Sequence, residues 1–367
     1  MKVGILGGGQ LGQMLALAGL SLGLRFRFLE PADESPAGQV AERIIGSLED
    51  ADCLDRFADG LDVVTYEFEN VPTASARRLA QRVPVYPPPA ALEVSQDRLA
   101  EKQLFGRLNI PTTQYAKVDM RADLDQAVAR LKVPAVLKTR RLGYDGKGQM
   151  VLRNADDMER AWRQLGGQPL LLEEYIAFER EVSQLAVRGR DGRVAFYPLV
   201  ENHHEQGILH WSLAPAPNMT ADLQRTANDY ALRVLNALEY VGVLAIEFFQ
   251  RHGRLIANET APRVHNSGHW TIEGAETSQF ENHLRAVVGW PLGSTAPAGY
   301  SAMLNLIGAA PPVETLLAIP NAHVHLYGKA PRPGRKLGHV TLRAADAESA
   351  LLHLDEARAL TLPSSTG

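Results

Sequence analysis

The chain has 367 residues, 45% hydrophobic and 22% charged, with 31 glycines and 22 prolines. A single hydrophobic core rarely exceeds roughly 250–300 residues, so this length implies two or three domains, and the composition excludes a disordered or fibrous chain. A formal net charge of −4 with no long lysine or arginine run argues against a sequence-independent nucleic-acid binder and leaves small molecules as the expected partners.

The opening third alternates strand-like and helix-like segments: a strand at 2–6, a helix at 11–22, RFRFLE, a helix near 49–57, DVVTYEF, a helix near 73–81 and VPVYP. Such alternation predicts a parallel sheet flanked by helices, a doubly wound-like α/β domain. The uncharged run from Val3 to Leu24 resembles a short signal peptide, but Gly7, Gly8, Gly9 and Gly12 interrupt it. No other stretch is long and apolar enough to span a bilayer, so no membrane partner is expected. The sole cysteine, Cys53, has no partner for a disulfide or a thiolate metal site, which fits a core position and a reducing, cytoplasmic setting.

Gly7, Gly9 and Gly12 satisfy G-x-G-x-x-G between the first strand and the first helix, and Glu30 ends the next strand, as in a dinucleotide fold. Small residues here let backbone N–H groups approach an anion. NAD, which would make a nicotinamide dehydrogenase, and a sugar phosphate both fit; glycines serving only the turn and helix packing are the plain alternative. Gln10 would add an amide to an anion site.

After the break at Pro87-Pro88-Pro89, a helix over 97–107 leads into an α+β module, strand-rich from 114 to 214, with helices near 121–131 and 155–165. Within it, VPAVLK ends at Lys138 and is followed by RLGYDGKGQ. Taken singly, Asp145-Gly146 is a hairpin turn and Lys138 a strand end. Together, Gly143, Gly146 and Gly148 make a mobile flap, while Lys138 and Lys147 bring positive charge for a polyphosphate without the G-K-[ST] ending of a P-loop. PLLLEEYI at 169–176 ends a strand in two acids, and Glu181 follows a short turn; solvent-facing acids are the plain alternative.

An amphipathic helix over 220–238 precedes strand-like runs at 241–249 and 253–258, joined by Gln250-Arg251-His252-Gly253. Paired antiparallel, these would set Glu247 beside Asn258 and Glu259. Glu247 lies in the apolar run GVLAIEFF, where an unpaired carboxylate is costly. Two acids and an amide suit magnesium, which takes oxygen ligands and usually binds one or two carboxylates plus nucleotide phosphates. A hairpin whose acids face solvent is the alternative. The stretch NETAPRVHNSGHW at 258–270 adds Arg263, His265, Asn266 and His269, a density of directional polar groups that an anionic ligand with a metal would satisfy. A helix over 276–289 and, from about 295, a mixed segment with SAMLNLIG, HVHLYG and RPGRKLGHVTL complete the chain.

In this order, GGGQLG at 7–12, TYEFENV at 65–71, DRLAEKQLF at 97–105, GYDGKGQ at 143–149, NETAPRVHNSGHW at 258–270 and RPGRKLGH at 332–339 resemble the ATP-grasp enzymes. Within these, the chain is most similar to the 5-(carboxyamino)imidazole ribonucleotide synthases of purine biosynthesis. The resemblance implies a Rossmann-like pre-ATP-grasp domain at 1–95, an ATP-grasp domain at 96–293 with α+β lobes at 96–175 and 176–293, and a small mixed C-terminal domain at 294–367.

It also implies residue roles. Arg98, Lys138, Gly143, Tyr144, Asp145, Gly146, Lys147, Gly148, Gln149, Glu173, Glu174, Tyr175, Ile176, Glu181 and His204 would line the ATP pocket with Asn258 and Glu259, adenine sitting at 173–176. Glu247 and Glu259 would hold Mg2+. Arg263, His265 and Asn266 would receive bicarbonate, with Lys138 stabilising phosphoryl charge. Gly8, Gly9, Gln10, Leu11, Glu67, Tyr144, Arg335 and Lys336 would hold the aminoimidazole ribonucleotide. His265, His269 and His339 are the candidates for a general base. Gln13 stands where the family usually has arginine, which bears on phosphate affinity rather than on chemistry. The implied reaction is ATP-dependent carboxylation of the ribonucleotide through carboxyphosphate, by a homodimer. A formate-using transformylase or a biotin carboxylase would share the grasp; HNSGHW and the absence of biotin-domain features favour the imidazole acceptor.

Overall fold

In a computed structural model, which describes residues 1–143 and 146–361, the strands group into three sheets among the described residues. The first is parallel: β1 (Lys2–Leu6), β2 (Arg25–Glu30), β3 (Glu42–Ile45) and β4 (Val63–Tyr66), in the order β3-β2-β1-β4. Alternation along β1 sends Val3 and Ile5 to one face, against Met14 and Leu15 of α1 (Gln10–Leu20). Leu6 faces the other way, clustering with Leu54 and Phe57 of α2 (Ala51–Ala58) and Leu79 of α3 (Thr73–Ala80). VPVYP is not the expected strand: it contributes one isolated bridge, Val85 to Val64. The fourth strand is instead β3, at the opposite edge beside β2; Glu42 and Arg43 of β3 dilute any apolar pattern. The proline break starts α4 (Pro89–Ser95), because a proline at the first helical position loses no intrahelical hydrogen bond.

Helix α5 (Arg98–Arg107), capped by the Asp97 carboxylate, leads into the second sheet. There β5 (Tyr115–Val118), β6 (Ala135–Thr139), β7 (Gln149–Leu152) and β8 (Leu170–Glu174) pair antiparallel in the order β5-β8-β6-β7. Helices α6 (Arg121–Leu131) and α7 (Ala155–Leu165) supply Leu124, Ala161 and Leu165 to its core. The glycine-rich flap connects β6 to β7, starting one residue beyond the Lys138–Gln149 pair.

The third sheet has nine strands: β9 (Arg180–Arg188), β10 (Val194–Phe196), β11 (Val200–Glu205), β12 (Ile208–Ala214), β13 (Gly242–Arg251), β14 (Arg254–Ala261), β15 (Tyr300–Ile307), β16 (Ala322–Leu326) and β17 (Lys336–Ala344). Helix α8 (Ala221–Ala237) packs Ala227, Ala231 and Val234 against Leu244, Ile246 and Phe248. Past the short α9 (Thr271–Gly274), α10 (Gln279–Val288) covers the opposite face at Val243 and Ala245, where its Leu284 meets the first domain's core. The period of two in β13 therefore turns Glu247 toward the α10 side. The C-terminal segment adds α11 (Val313–Leu317) and α12 (Ala347–Thr361), and β15–β17 continue the same sheet through the β12–β15 pair.

Candidate active site

Glu247 and Glu259 stand opposite one another in the β13–β14 ladder. The hairpin is tighter than expected, since β13 runs on through Arg251 and only His252 and Gly253 turn. Both have left-handed backbones (φ 50° and 68°), which matches the right-handed strand twist. Beside Glu247 the register slips, Phe248 pairing with Ala257, so Asn258 is an extra residue in a β-bulge and stands with Glu259 opposite one partner. The Asn258 side-chain oxygen is buried without a hydrogen-bond partner. An acceptor left dry beside two carboxylates fits a hard cation: magnesium requires oxygen donors, and two carboxylates suffice when phosphate completes the shell. Among the described residues no group of three or more acidic, histidine or cysteine side chains forms a complete metal cage.

The two acids differ electrostatically. Burial pushes Glu247 up, aided by Glu259 and Glu181 and opposed by His204. Burial acts the same way on Glu259, but Arg98, donating from Nη1 at 2.8 Å, and Lys138 overcome it and hold this carboxyl low. His265 Nε2 lies 3.4 Å from Glu247. Burial, then Arg263 and Lys336, bring His265 down to about 3, so its imidazole is neutral.

These groups share a cavity of about 350 Å³ with Lys138, Glu174, Tyr175, Ile176, Glu181, His204, Asn258, Arg263, Asn266 and Lys336. Gly143, Gly146, Lys147 and Gln149 of the flap line it as well. Gly148 packs behind them at φ 71°, where an added Cβ would lie 2.6 Å from the Thr139 hydroxyl. Tyr144 and Asp145 fall outside the described residues. Glu173 is no solvent-facing strand end: its residue is 1% exposed, and its carboxylate accepts from Thr113 at 2.9 Å and pairs with Lys138 at 3.2 Å and Lys102 at 3.3 Å. Glu181 meets His204 Nδ1 at 2.7 Å. Arg263 pairs through Nε with Glu69 and donates to the Val264 carbonyl at 3.0 Å, and Asn266 exchanges amide hydrogen bonds with Asn305 at 3.1 and 2.7 Å. Of the three base candidates, His265 alone reaches this cavity; His269 and His339 are buried, His339 bonded to Tyr327 at 2.7 Å.

The first glycine loop departs from expectation. The Glu67 carboxylate accepts from Gly9 N–H at 2.7 Å and Gly12 N–H at 3.0 Å, so the anion at the α1 N-terminus is the chain's own. An added Cβ on Gly8 would lie 2.1 Å from the Glu30 carboxylate. With both acids seated on the loop, the place of a dinucleotide pyrophosphate is filled, against the dehydrogenase reading. Gly8, Gly9, Gln10, Leu11, Glu67 and Arg335 do not line the main cavity. Arg335 instead lines a second one of about 310 Å³ with Ser35, Arg43 and Lys329, and Lys329 donates to the Gln10 side chain. Burial, then Arg335, lowers Lys329 to about 8. Gln13 is buried, its amide reaching Gln39 at 3.4 Å.

Sequence reasoning missed Glu69, Glu101, Lys102, Thr113 and Lys329. Glu69, Glu101 and Lys102 lie inside TYEFENV and DRLAEKQLF, motifs that carry the family resemblance, and that membership was the signal that could have found them.

Three family models match: the ribonucleotide synthetase preATP-grasp domain over 1–96, the ATP-grasp domain over 103–280, and the phosphoribosylaminoimidazole carboxylase C-terminal domain over 301–352. The N5-carboxyaminoimidazole ribonucleotide synthase of Pseudomonas aeruginosa is 55% identical over 98% of this chain and 99% of its own. The chain belongs to the N5-carboxyaminoimidazole ribonucleotide synthase family. As a member it is an ATP-grasp ligase. The crystal structure of the Thermus thermophilus synthetase superposes with a TM-score of 0.95 at 57% identity, covering 100% of both chains. A synthase from Aspergillus clavatus, solved in complex with ADP and 5-aminoimidazole ribonucleotide, gives 0.92 at 33% identity over 98% of each chain.

Proposed function

We propose that the chain carboxylates 5-aminoimidazole ribonucleotide with bicarbonate and ATP, yielding N5-carboxyaminoimidazole ribonucleotide, ADP and phosphate in purine synthesis. The observation that carries this is one cavity uniting the Glu247–Glu259 pair, the Lys138 flap and the cluster Arg263, His265 and Asn266.

Bicarbonate is a poor electrophile and the aminoimidazole amine a weak nucleophile, so the carbon must be activated. A bicarbonate oxygen attacks the γ-phosphorus, the bond to the ADP oxygen breaks, and carboxyphosphate forms. The amine then attacks the carboxyl carbon, phosphate leaves, and nitrogen loses a proton. Arg263 and Asn266 orient bicarbonate, while neutral His265, whose Nδ1 accepts from the Ser267 N–H, keeps its proton on Nε2 and donates from there to a bicarbonate oxygen. Lys138 and Arg98 offset charge on the transferring phosphoryl group. Magnesium, held by Glu247, Glu259 and the Asn258 amide, would supply further neutralisation of the phosphates. The flap excludes water from labile carboxyphosphate, and holding it against the amine supplies up to roughly 7–11 kcal/mol. On this reading Lys336, in the main cavity, and Lys329 and Arg335, in the second, would hold the ribonucleotide's phosphate, with Gln10 bonded to Lys329.

The same reading divides the chain at about 95 and 293 and takes it as a cytoplasmic homodimer, on the family resemblance and the single cysteine; sedimentation equilibrium tests the assembly. No helix among the described residues is long and apolar enough to cross a membrane. Phosphate release with ATP, the ribonucleotide and bicarbonate, each omitted in turn, tests the reaction. Full release should require all three, and equal release without the ribonucleotide or without bicarbonate would refute it.

A further inference from the structure

Helix α5 carries two ionisable residues for which the reaction above has no task, Glu101 and Lys102, 2% and 1% exposed. With Arg98 they occupy positions i, i+3 and i+4, one face of the helix, and this face meets β14 at its bulge. Lys102 Nζ donates to the main-chain carbonyl of Asn258 at 2.8 Å. Glu101 Oε1 accepts from both the N–H and the hydroxyl of Thr260, each at 2.6 Å. Two consecutive residues of one helix thus grip the backbone immediately before and after Glu259, whose carboxylate takes Arg98.

A bulge interrupts the ladder and leaves backbone groups that must be satisfied from outside the sheet. Neutral donors and acceptors would serve that end; ionised ones make shorter, stronger hydrogen bonds. Burying them is unfavourable unless they are paired, and Lys102 is paired, lying 3.3 Å from Glu173, which also holds Lys138 at 3.2 Å. One lysine therefore ties the bulge to the strand that carries the phosphate-facing lysine's partner.

We propose that Glu101 and Lys102 are positioning residues that fix the 258–260 bulge so that Glu247, Glu259 and the Asn258 amide converge on one divalent cation. This rests on assigning that pair to the metal of the bound nucleotide. Glu101 also lines the main cavity, but both residues bond the β14 backbone, and it is through this backbone that each acts.

The test reads metal binding without turnover. Mn2+ is titrated into enzyme saturated with ADP, free ion being followed by its electron paramagnetic resonance signal, and metal-free ADP binding is measured by calorimetry. Glu101→Ala and Lys102→Met should each weaken Mn2+ uptake by about ten-fold or more while ADP binding shifts by less than about three-fold. Glu101→Gln, which retains an acceptor for Thr260, should recover uptake to within about three-fold of wild type. If neither of the first two folds, Thr260→Ala, which removes the hydroxyl alone, should weaken uptake by about three-fold. Wild-type uptake in a folded Glu101→Ala or Lys102→Met, or in Thr260→Ala where that variant decides, overturns the proposal, as does a parallel loss of metal-free ADP binding. Absence of Mn2+ uptake by wild type with ADP overturns the metal assignment itself, and the inference with it.

Discussion

Arg263 is held from one side by Glu69, a residue of the loop after β4, and the cavity it lines also holds His265 and Asn266. A guanidinium fixed in this way offers its remaining N–H donors to a small planar anion. Arg263→Ala should therefore lower bicarbonate-dependent ATP turnover by roughly 10²–10³ while nucleotide affinity, measured by calorimetry, stays near wild type. His204 tests electrostatics. Burial alone would lower it, but the Glu181 hydrogen bond with Glu247 and Glu259 raises it to about 9 from the ordinary 6.5. A histidine whose folded value exceeds its unfolded one stabilises fully below the unfolded value and loses that contribution as pH rises through the folded one. The difference in Tm between wild type and His204→Gln, without metal or nucleotide, should be largest below 6.5 and shrink through about 9; a difference flat across that window would contradict the pairing.

At the level of elements, the flap and the β11–β12 hairpin are in contact. Gly146 has φ 73°, and a Cβ there would lie 2.6 Å from the Gln206 carbonyl. Gly146→Ala thus meets backbone on both counts. It should reduce kcat/KM for ATP by about ten-fold with little change in Tm, read by steady-state kinetics and thermal melting. The elements themselves were unevenly legible. The 220–238 helix was visible because its apolar face repeats with helical period, and β8 because Leu170, Leu171 and Leu172 are all buried. Strand β3 was not, since a short edge strand half covered by solvent needs no apolar alternation.

At the scale of the molecule, the first domain and the nine-stranded sheet share a core through α1 and α10. Gly19 marks the closest approach, where a Cβ would fall 2.3 Å from the Phe26 ring and 2.8 Å from Leu284. Gly19→Val should destabilise the protein by about 1–3 kcal/mol, measured as a lower urea midpoint. His283 of α10 reinforces this junction, bonding Thr65 at 2.8 Å and accepting from the Val243 N–H at 3.1 Å. A mere surface contact would leave the Gly19→Val midpoint unchanged.

Local pattern was enough to announce the glycine flap, the alternating α/β opening and the acidic hairpin, because strand period and turn chemistry act between neighbours in the chain. The placing of Glu247 opposite Glu259 follows from a two-residue turn and one bulge. Which partner each charge would find was decided only by folding. Glu67 seats itself on the α1 N-terminus, Glu69 meets Arg263, and Glu173 gathers Lys102 and Lys138, each across a separation of 35 residues or more. A buried charge takes the opposite charge nearest in space, and that neighbour is set by how sheets and helices pack rather than by any spacing written in the chain.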